Sequence, residues 1–296
     1  VGIDFGFNND RLNGTLDYYH KDTKDFLLQT TAAQPSPQPF FFTNVDADII
    51  NQGVEFALNY DVIKGDETNW NVGFNIAYND NEVKNFAGQI PFGQISGQGL
   101  SGAFAQLLAE GQPLFSFFLR DFQGYDANGQ QIGDVQKFVN KSAIPKVNLG
   151  ITSTYKYKNW DASVSLTGQY GHYIYNNTAN AFFTAGSIGN ARNVTRDVLT
   201  SGEASNNAPD VSTRFLEKGD FLRLQNLTIG YNFKLREESH LKSLRFSVTG
   251  QNLFVITSYS GLDPEVNTSN VLNNVPSLGV DYTSFPTPRT YTFGLN

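Results

Sequence analysis

The chain has 296 residues and a formal net charge of −7, from 21 basic and 28 acidic side chains. This mildly acidic balance offers no basic surface for nucleic acid. The absence of cysteine excludes disulfides, thiol catalysis and zinc sites built on sulfur. Methionine is also absent and the chain opens on Val1, so we expect an internal or processed piece of a longer protein. No run of about eighteen apolar residues occurs, so we expect no transmembrane helix.

Four segments of the first half alternate between apolar and polar residues. A period of two is typical of a strand with one face against an apolar medium. The segments cover residues 1–7, 11 to about 28, 49–63 and 70–78. A loop that contains Pro35, Pro37 and Pro39 follows the second segment. Because proline cannot donate to a strand ladder, we expect no central strand there.

The second half continues the pattern with longer excursions. Residues 86–143 form the first long excursion, for which we predict one or two helical turns around residues 100–110. Two strands follow at 147–157 and from 160 to about 175, and a second excursion covers 176–217. Residues 218–252 contain two further strands, a third excursion runs from 256 to 286, and a last strand covers 289–296.

The lengths of the connections and of the strands indicate which medium the strands face. They are short after strands one, three, five and seven and long after the others, and the strands exceed the five or six residues usual in a sandwich. This pattern favours an all-β fold, a transmembrane antiparallel β-barrel with long extracellular loops. Single-chain barrels have even strand numbers, so about nine strands would be part of the wall. A soluble β-sandwich is the alternative.

Two features of the strands would fit a bilayer. Rings near the short turns form a predicted aromatic girdle, namely Tyr60, Trp70, Tyr155, Tyr157, Trp160, Tyr231 and Phe233. The residues predicted to face lipid are Val164, Leu166, Leu227, Ile229, Tyr231, Phe233, Phe246 and Val248. Above Leu227 the apolar parity shifts, which predicts a bulge near residues 225–226 or exit from the membrane at that height.

Several sequence motifs resemble those of one transporter family. Residues 219–231 read Gly-Asp-Phe-Leu-Arg-Leu-Gln-Asn-Leu-Thr-Ile-Gly-Tyr, and residues 248–254 read Val-Thr-Gly-Gln-Asn-Leu-Phe. Residues 260–266 read Ser-Gly-Leu-Asp-Pro-Glu-Val, and the chain ends on Tyr-Thr-Phe-Gly-Leu-Asn. These motifs resemble those of the SusC/RagA family of TonB-dependent outer-membrane transporters. The resemblance touches nearly the whole chain, and its last eighty residues or so are the most specific.

The resemblance implies a barrel of about 22 strands filled by an N-terminal plug. Residues 1–296 would be the C-terminal portion of this barrel, with the plug and earlier strands upstream of Val1. It also implies a bacterial outer-membrane location, energy from the TonB complex and a SusD-like surface lipoprotein that lids the barrel. The substrate would be an oligosaccharide or a peptide.

Aromatic clusters in the excursions are the candidate contacts for a ligand or for the lid. Rings stack on sugar faces and anchor protein interfaces, although they also pack against each other inside loops. The candidates are Phe40, Phe41, Phe42, Phe115, Phe117, Phe118, Phe122, Tyr125, Phe182 and Phe183.

Two acidic motifs have structural alternatives. Asp263, Pro264 and Glu265 form a predicted rim motif in which proline fixes the backbone, so we favour a loop anchor over a ligand site. Asp126, Asn128 and Asp134 form a weak candidate for a calcium loop, because alternate oxygen ligands suit that ion. The segment lacks the bidentate glutamate of an EF-hand, and a plain turn is the favoured alternative.

No enzymatic motif stands out. The three histidines lie far apart along the chain, and we find neither a Ser-His-Asp arrangement nor paired carboxylates. We therefore expect no catalytic site and no resident cofactor. The function that the resemblance implies is TonB-dependent import of a nutrient across the outer membrane. The alternatives are a passive or structural barrel, such as a porin or adhesin, and a soluble carbohydrate-binding β domain.

Overall fold

The computed structural model describes residues 1–33, 35–236, 240–268, 271–272 and 275–296. Within them β-structure dominates. The strands are β1 (Gly2–Phe7), β2 (Leu12–Thr23), β3 (Phe26–Thr31), β4 (Phe40–Val45), β5 (Asp48–Lys64), β6 (Thr68–Lys84), β7 (Gln89–Gln94), β8 (Phe104–Ala109), β9 (Ser116–Tyr125), β10 (Gln131–Ser142), β11 (Val147–Tyr157), β12 (Trp160–Tyr170), β13 (Tyr173–Asn176), β14 (Leu216–Lys218), β15 (Phe221–Asn232), β16 (Arg245–Thr257), β17 (Val280–Asp281) and β18 (Thr290–Leu295).

Short helical segments occur between β13 and β14. They are α1 (Asn177–Phe182), α2 (Ala185–Gly189) and two 3₁₀ turns, Arg196–Thr200 and Thr213–Phe215. None of the helices in the described part of the chain has the length and apolar character that crossing a bilayer would require.

A nine-stranded antiparallel sheet, which we call the wall, organises the described residues. Its strand order is β1-β2-β5-β6-β11-β12-β15-β16-β18, so each strand pairs with the wall strand before it in the chain. The connections alternate between short ones (8–11, 65–67, 158–159 and 233–244) and long ones (24–47, 85–146, 171–220 and 258–289). The all-β fold, the nine strands and the alternation of connections predicted from the sequence are confirmed.

The predicted shift in β15 is a bulge. Opposite β12, Leu224 pairs with Leu166 and Asn226 pairs with Ser165, which leaves Gln225 as the extra residue. A second irregularity lies at the same place against β16. The extra residue changes the parity, so Leu222 and Leu224 share the face of Leu227 while their neighbours point to the other side.

Two wall strands end earlier than the sequence predicted. β2 stops at Thr23, and Asp25 adopts a left-handed backbone with φ of 51° before the chain forms a separate hairpin of β3 and β4. Gly171, with φ of 81°, ends β12, and β13 then joins a different sheet. Asp and Gly are among the residues that adopt a positive φ most readily. Asp25 and Gly171 therefore end the strands at positions where the alternation of the sequence alone predicted that they continue.

The predicted helical turns around residues 100–110 are wrong. Residues 104–109 form β8, which lies in a four-stranded sheet of order β10-β9-β8-β7. Nearly every side chain of β8 is buried, so both of its faces are covered. A short apolar run buried on both sides has no period of two and cannot be told from a buried helix by its pattern.

The long connections fold together into what we call the loop layer, made of residues 85–146, 171–220 and 258–289. It contains the four-stranded sheet, a three-stranded sheet of order β14-β13-β17 and the helical segments. Its hydrophobic core takes side chains from all three connections, including Phe117, Tyr175 and Val280, which are fully buried. The protein therefore has a wall that is a single sheet thick and a packed layer at its long-connection edge.

Candidate functional site

One face of the wall is apolar and uncovered by the described chain. Strand register places Val164 opposite Leu227, and Ile229 opposite Val248. The exposed fraction of Ile229 is 48%, a large value for an isoleucine in the middle of a sheet. The residues predicted to face lipid that share this face are Val164, Leu166, Leu227, Ile229, Tyr231, Phe246 and Val248. Phe233 follows β15 and packs edge-on against Tyr231 at 5.0 Å between centroids.

The aromatic residues predicted as a girdle lie at the short-connection edge of this face. Register places Trp70 opposite Tyr155, and Trp160 between Tyr157 and Tyr231. The rings of Trp160 and Tyr231 pack at 4.7 Å between centroids. Such a band of amphipathic rings is favoured where hydrocarbon meets polar headgroups.

The other face of the wall is polar. The Arg245 guanidinium donates to both carboxylate oxygens of Asp161, at 2.5 and 3.1 Å. The hydroxyls of Thr228 and Thr249 share a hydrogen bond of 2.9 Å across β15 and β16. Polar groups that satisfy one another in this way suit a surface that faces water or another polar part of a protein.

The rings predicted to make contacts divide into several environments. Phe117 is fully buried in the core of the loop layer, because β9 is covered on the side where this ring points, so Phe117 offers no contact surface. Phe115 packs edge-on against Phe92 at 5.6 Å between centroids. Phe118 stacks on Phe104 at 6.3 Å and meets Phe138 at 5.1 Å. These rings hold the loop layer together.

The remaining rings lie nearer the surface. Phe40, Phe41 and Phe42 are exposed on β4, with 49%, 49% and 72% of their surface accessible. Phe122 and Tyr125 pack edge-on at 5.2 Å, with the Arg214 guanidinium over both rings. Phe182 stacks on Tyr282 at 6.0 Å. Phe183 is half-buried and lines a cleft. Contact roles for the rings of this second group stay predictions.

This cleft, which we call the loop cleft, lies in the loop layer and has a volume of about 670 Å³. The end of α1 supplies Phe183, and the two 3₁₀ turns supply Asp197, Arg214 and Phe215. Glu217 comes from β14, and Phe285 follows β17. A cleft of this size with apolar walls and a few polar groups is typical of a binding site.

Most charged groups of the loop cleft already have partners. Arg214 forms a two-point ion pair with the buried Glu203, at 2.9 and 3.0 Å. Glu217 accepts hydrogen bonds from Asn176 at 3.0 Å and from the backbone N–H and hydroxyl of Ser260, both at 2.7 Å. Asp197 is exposed. The cleft therefore carries excess negative charge.

Asp281 lines the cleft, and Tyr259 is hydrogen-bonded to it. The Tyr259 hydroxyl donates to Asp281 at 2.6 Å, and both residues are buried. Burial, together with this hydrogen bond, raises the pKa of Tyr259 above its ordinary value. The hydrogen bond orients the Asp281 carboxylate beside the cleft.

Of the cleft residues, sequence reasoning named Phe183 as a candidate contact but found none of the charged ones. Asp197, Arg214 and Glu217 lie in an excursion without periodicity, and no local motif surrounds them. Their approach depends on β13, which pairs with β14 on one side and with the distant β17 on the other. No signal in the single sequence reports that pairing.

The rim motif anchors the loop layer to the wall. The Arg223 guanidinium of β15 lies 2.5 Å from Asp263 and 2.6 Å from Glu265. Asp263 also accepts the backbone N–H groups of Glu265 at 3.0 Å and Thr287 at 2.9 Å. Burial alone would raise the pKa of Asp263, but these hydrogen bonds and the nearby Arg223 charge lower it below its ordinary value. The geometry supports the predicted loop anchor.

The calcium candidate has the geometry of a turn. One carboxylate oxygen of Asp126 accepts the backbone N–H groups of Asn128 at 2.9 Å and Gln130 at 2.7 Å. Asp134 lies on β10 and pairs with Lys137 at 3.3 Å. Within the residues that the structure describes, no group of three acidic or histidine side chains could hold a metal ion. Calcium binding here stays a prediction.

His172 is buried between the wall and the loop layer. Its ring meets Phe221 edge-on at 6.5 Å between centroids, and a Cβ on Gly219 would come within 2.4 Å of Nε2. Burial lowers the pKa of His172, so the imidazole stays neutral at physiological pH. This histidine is a packing residue, and Gly219 makes room for it.

Comparison with known proteins gives consistent matches. A family model described as "TonB dependent receptor-like, beta-barrel" matches residues 1–253. The chain is 29% identical over 322 residues to the TonB-dependent receptor SusC of Bacteroides thetaiotaomicron, and the match covers 100% of this chain and 31% of that protein. It is 28% identical over 343 residues to the TonB-dependent receptor P3 of Formosa agariphila, which covers 100% of this chain and 33% of that protein.

A solved structure shares the fold. The structure of the RagAB peptide transporter superposes with a TM-score of 0.82 and 20% sequence identity, over 99% of this chain and 34% of that chain. The chain thus spans about a third of the length of the relatives that it matches.

Proposed function

The chain belongs to the TonB dependent receptor-like β-barrel family, and from this premise we propose that it is part of a transporter that imports a nutrient across the bacterial outer membrane. The observation that carries the proposal is the wall. Nine antiparallel strands, each paired with the wall strand before it, with one apolar and one polar face, match a sector of a barrel set in lipid. The apolar face would contact outer-membrane lipid.

The transport would be driven by the TonB complex through a plug supplied by the rest of the protein. The substrate would be an oligosaccharide or a peptide, held among the long connections, and a SusD-like lipoprotein would cover that side. Two findings support this assignment. The match to SusC extends over the whole chain, and the loop layer is a packed, built surface at the long-connection edge. We propose no enzymatic activity.

The alternative with a specific observation in its favour is a passive barrel, because the wall geometry alone does not require energy coupling. Uptake of labelled oligosaccharide and peptide mixtures by cells that carry the intact transporter separates the two. A TonB-driven importer loses uptake when a protonophore dissipates the proton-motive force or when TonB is removed. Uptake that persists under both treatments would establish a passive barrel and refute the proposal.

A further inference from the structure

The loop cleft is lined by apolar rings and by more acidic than basic groups. Asp197, Glu217 and Asp281 line it together with one cation, Arg214, whose charge Glu203 already balances. The local field therefore attracts cations and repels anionic groups such as uronates and sulfates.

Two polar side chains of the cleft, Asn176 and Thr178, already hydrogen-bond to protein partners. The Asn176 amide donates to Glu217 and Ser260, and its oxygen accepts the N–H of Ala179 at 2.9 Å. Thr178 donates to Asp281. Sugar hydroxyls placed against Asn176 and Thr178 would lose water without gaining these two side chains as free partners, which is costly.

The apolar lining is better suited to a hydrophobic side chain. Phe183, Phe215 and Phe285 line the cleft with Leu262, and the exposed fractions of Phe285 and Leu262 are 95% and 71%. Exposed rings beside a concave site gain free energy by burying another apolar group. Asp197 is exposed at the same site, and its carboxylate accepts no hydrogen bond or ion pair within the described residues.

From this combination we propose that the loop cleft binds a peptide that carries a lysine or arginine side chain next to an aromatic or aliphatic one. The basic group would pair with Asp197, and the apolar side chain would lie against Phe183 and its neighbours. The assignment rests on the proposed import function and narrows its substrate from oligosaccharide or peptide to a basic, partly apolar peptide.

The test measures binding to the intact transporter, purified with any partner that accompanies it, by isothermal titration calorimetry. The probes are the capped pentapeptides Gly-Lys-Phe-Lys-Gly and Gly-Glu-Phe-Glu-Gly, and maltohexaose as a neutral oligosaccharide. We expect the lysine peptide to bind more tightly than the glutamate peptide by about tenfold, and this preference should shrink as salt is raised.

Three variants locate the binding. Asp197→Asn should weaken the lysine peptide about three- to fivefold, the scale of one exposed charge pair, and Phe183→Ala about tenfold. Asp66→Asn removes the same charge from the exposed turn between β5 and β6 and should leave binding unchanged. Each variant is first checked for the folded, heat-modifiable band of the parent, so that misfolding is not read as lost binding.

Three results would overturn the proposal: no binding of the lysine peptide, equal binding of the two peptides, or binding that neither cleft variant weakens. Binding of maltohexaose that Phe183→Ala weakens and Asp197→Asn does not would also overturn it, since the cleft would then be a sugar site. In that case import of an oligosaccharide would stand. Energy dependence of uptake is measured separately, so failure of the import function and failure of the cleft assignment are distinguishable.

Discussion

Replacing Asp263 by alanine should detach the third long connection from the wall. The Asp263 carboxylate and the Arg223 guanidinium are 4% and 6% exposed as side chains, so the ion pair is shielded from water. Removal of one partner of a buried pair costs about 3–5 kcal/mol, because the other charge is left without compensation. Glu265 also contacts Arg223 and is 41% exposed, so we expect a value near the lower limit.

Hydrogen exchange of the intact transporter, followed by mass spectrometry, measures the loss of stability in the third long connection itself. Peptides from residues 260–268 and 277–289 should exchange faster in Asp263→Ala, while peptides from β11 and β12 should not change. A double-mutant cycle with Arg223→Met should give a coupling of about 1–3 kcal/mol. If the losses of unfolding free energy caused by the two single substitutions add up to that of the double variant within about 0.5 kcal/mol, Asp263 does not act as an anchor through Arg223.

The anchor also has a pH dependence with a definite sign. Because the folded state lowers the pKa of Asp263, its contribution to stability is complete above the ordinary value near 3.8 and is lost as pH falls through the lowered folded pKa. Protection of residues 260–268 should therefore fall below about pH 4. The variant Asp263→Asn should lack this acid-dependent component, and a variant that retained it would contradict the assignment.

Three further predictions concern the wall and its junction with the loop layer. Ile229→Arg, on the apolar face, should lower the free energy of unfolding of the barrel by about 2–4 kcal/mol, measured by urea titration in lipid vesicles. The control Thr228→Arg, on the polar face, should lower it much less. Similar losses for the two variants would contradict the assigned faces. Deletion of Gln225 removes the extra residue and leaves Leu224 and Leu227 two positions apart on one face, so the heat-modifiable folded band should persist; loss of that band would show that folding requires the bulge itself. Gly219→Ala should lower the melting temperature, since its Cβ would lie 2.4 Å from His172, and an unchanged value would show that the histidine moves away freely.

The wall could be predicted almost completely from the sequence because its strands repeat one simple rule. Alternation assigns each residue to a face, and short turns fix the register of each hairpin. The bulge at Gln225 was visible for the same reason, since Leu222 and Leu224 break a parity that Leu227 and Ile229 establish. A regular sheet against a uniform medium leaves a periodic signature.

The loop layer could not be predicted because its contacts are distant in the chain. β13 pairs in parallel with β17, about a hundred residues away, and β8 is buried on both faces and so has no alternation. The neighbouring Pro264 allowed Asp263 to be predicted as an anchor. Its partner Arg223 could not be predicted, because neither segment contains a signal that the two side chains meet. The cleft depends on the long-range approach of β13 to β17, which is why its charged residues were missed.

The central claim is that one face of the wall contacts lipid, and spin labels along β15 test it most directly. Single cysteines carrying a nitroxide are placed at positions 227 to 232 of the intact transporter in lipid vesicles, and collision with oxygen and with a water-soluble nickel complex is measured. The account predicts that oxygen accessibility peaks at positions 227, 229 and 231, and that nickel accessibility is higher at 228, 230 and 232. Equal accessibility at all six positions, or the opposite alternation, would contradict it.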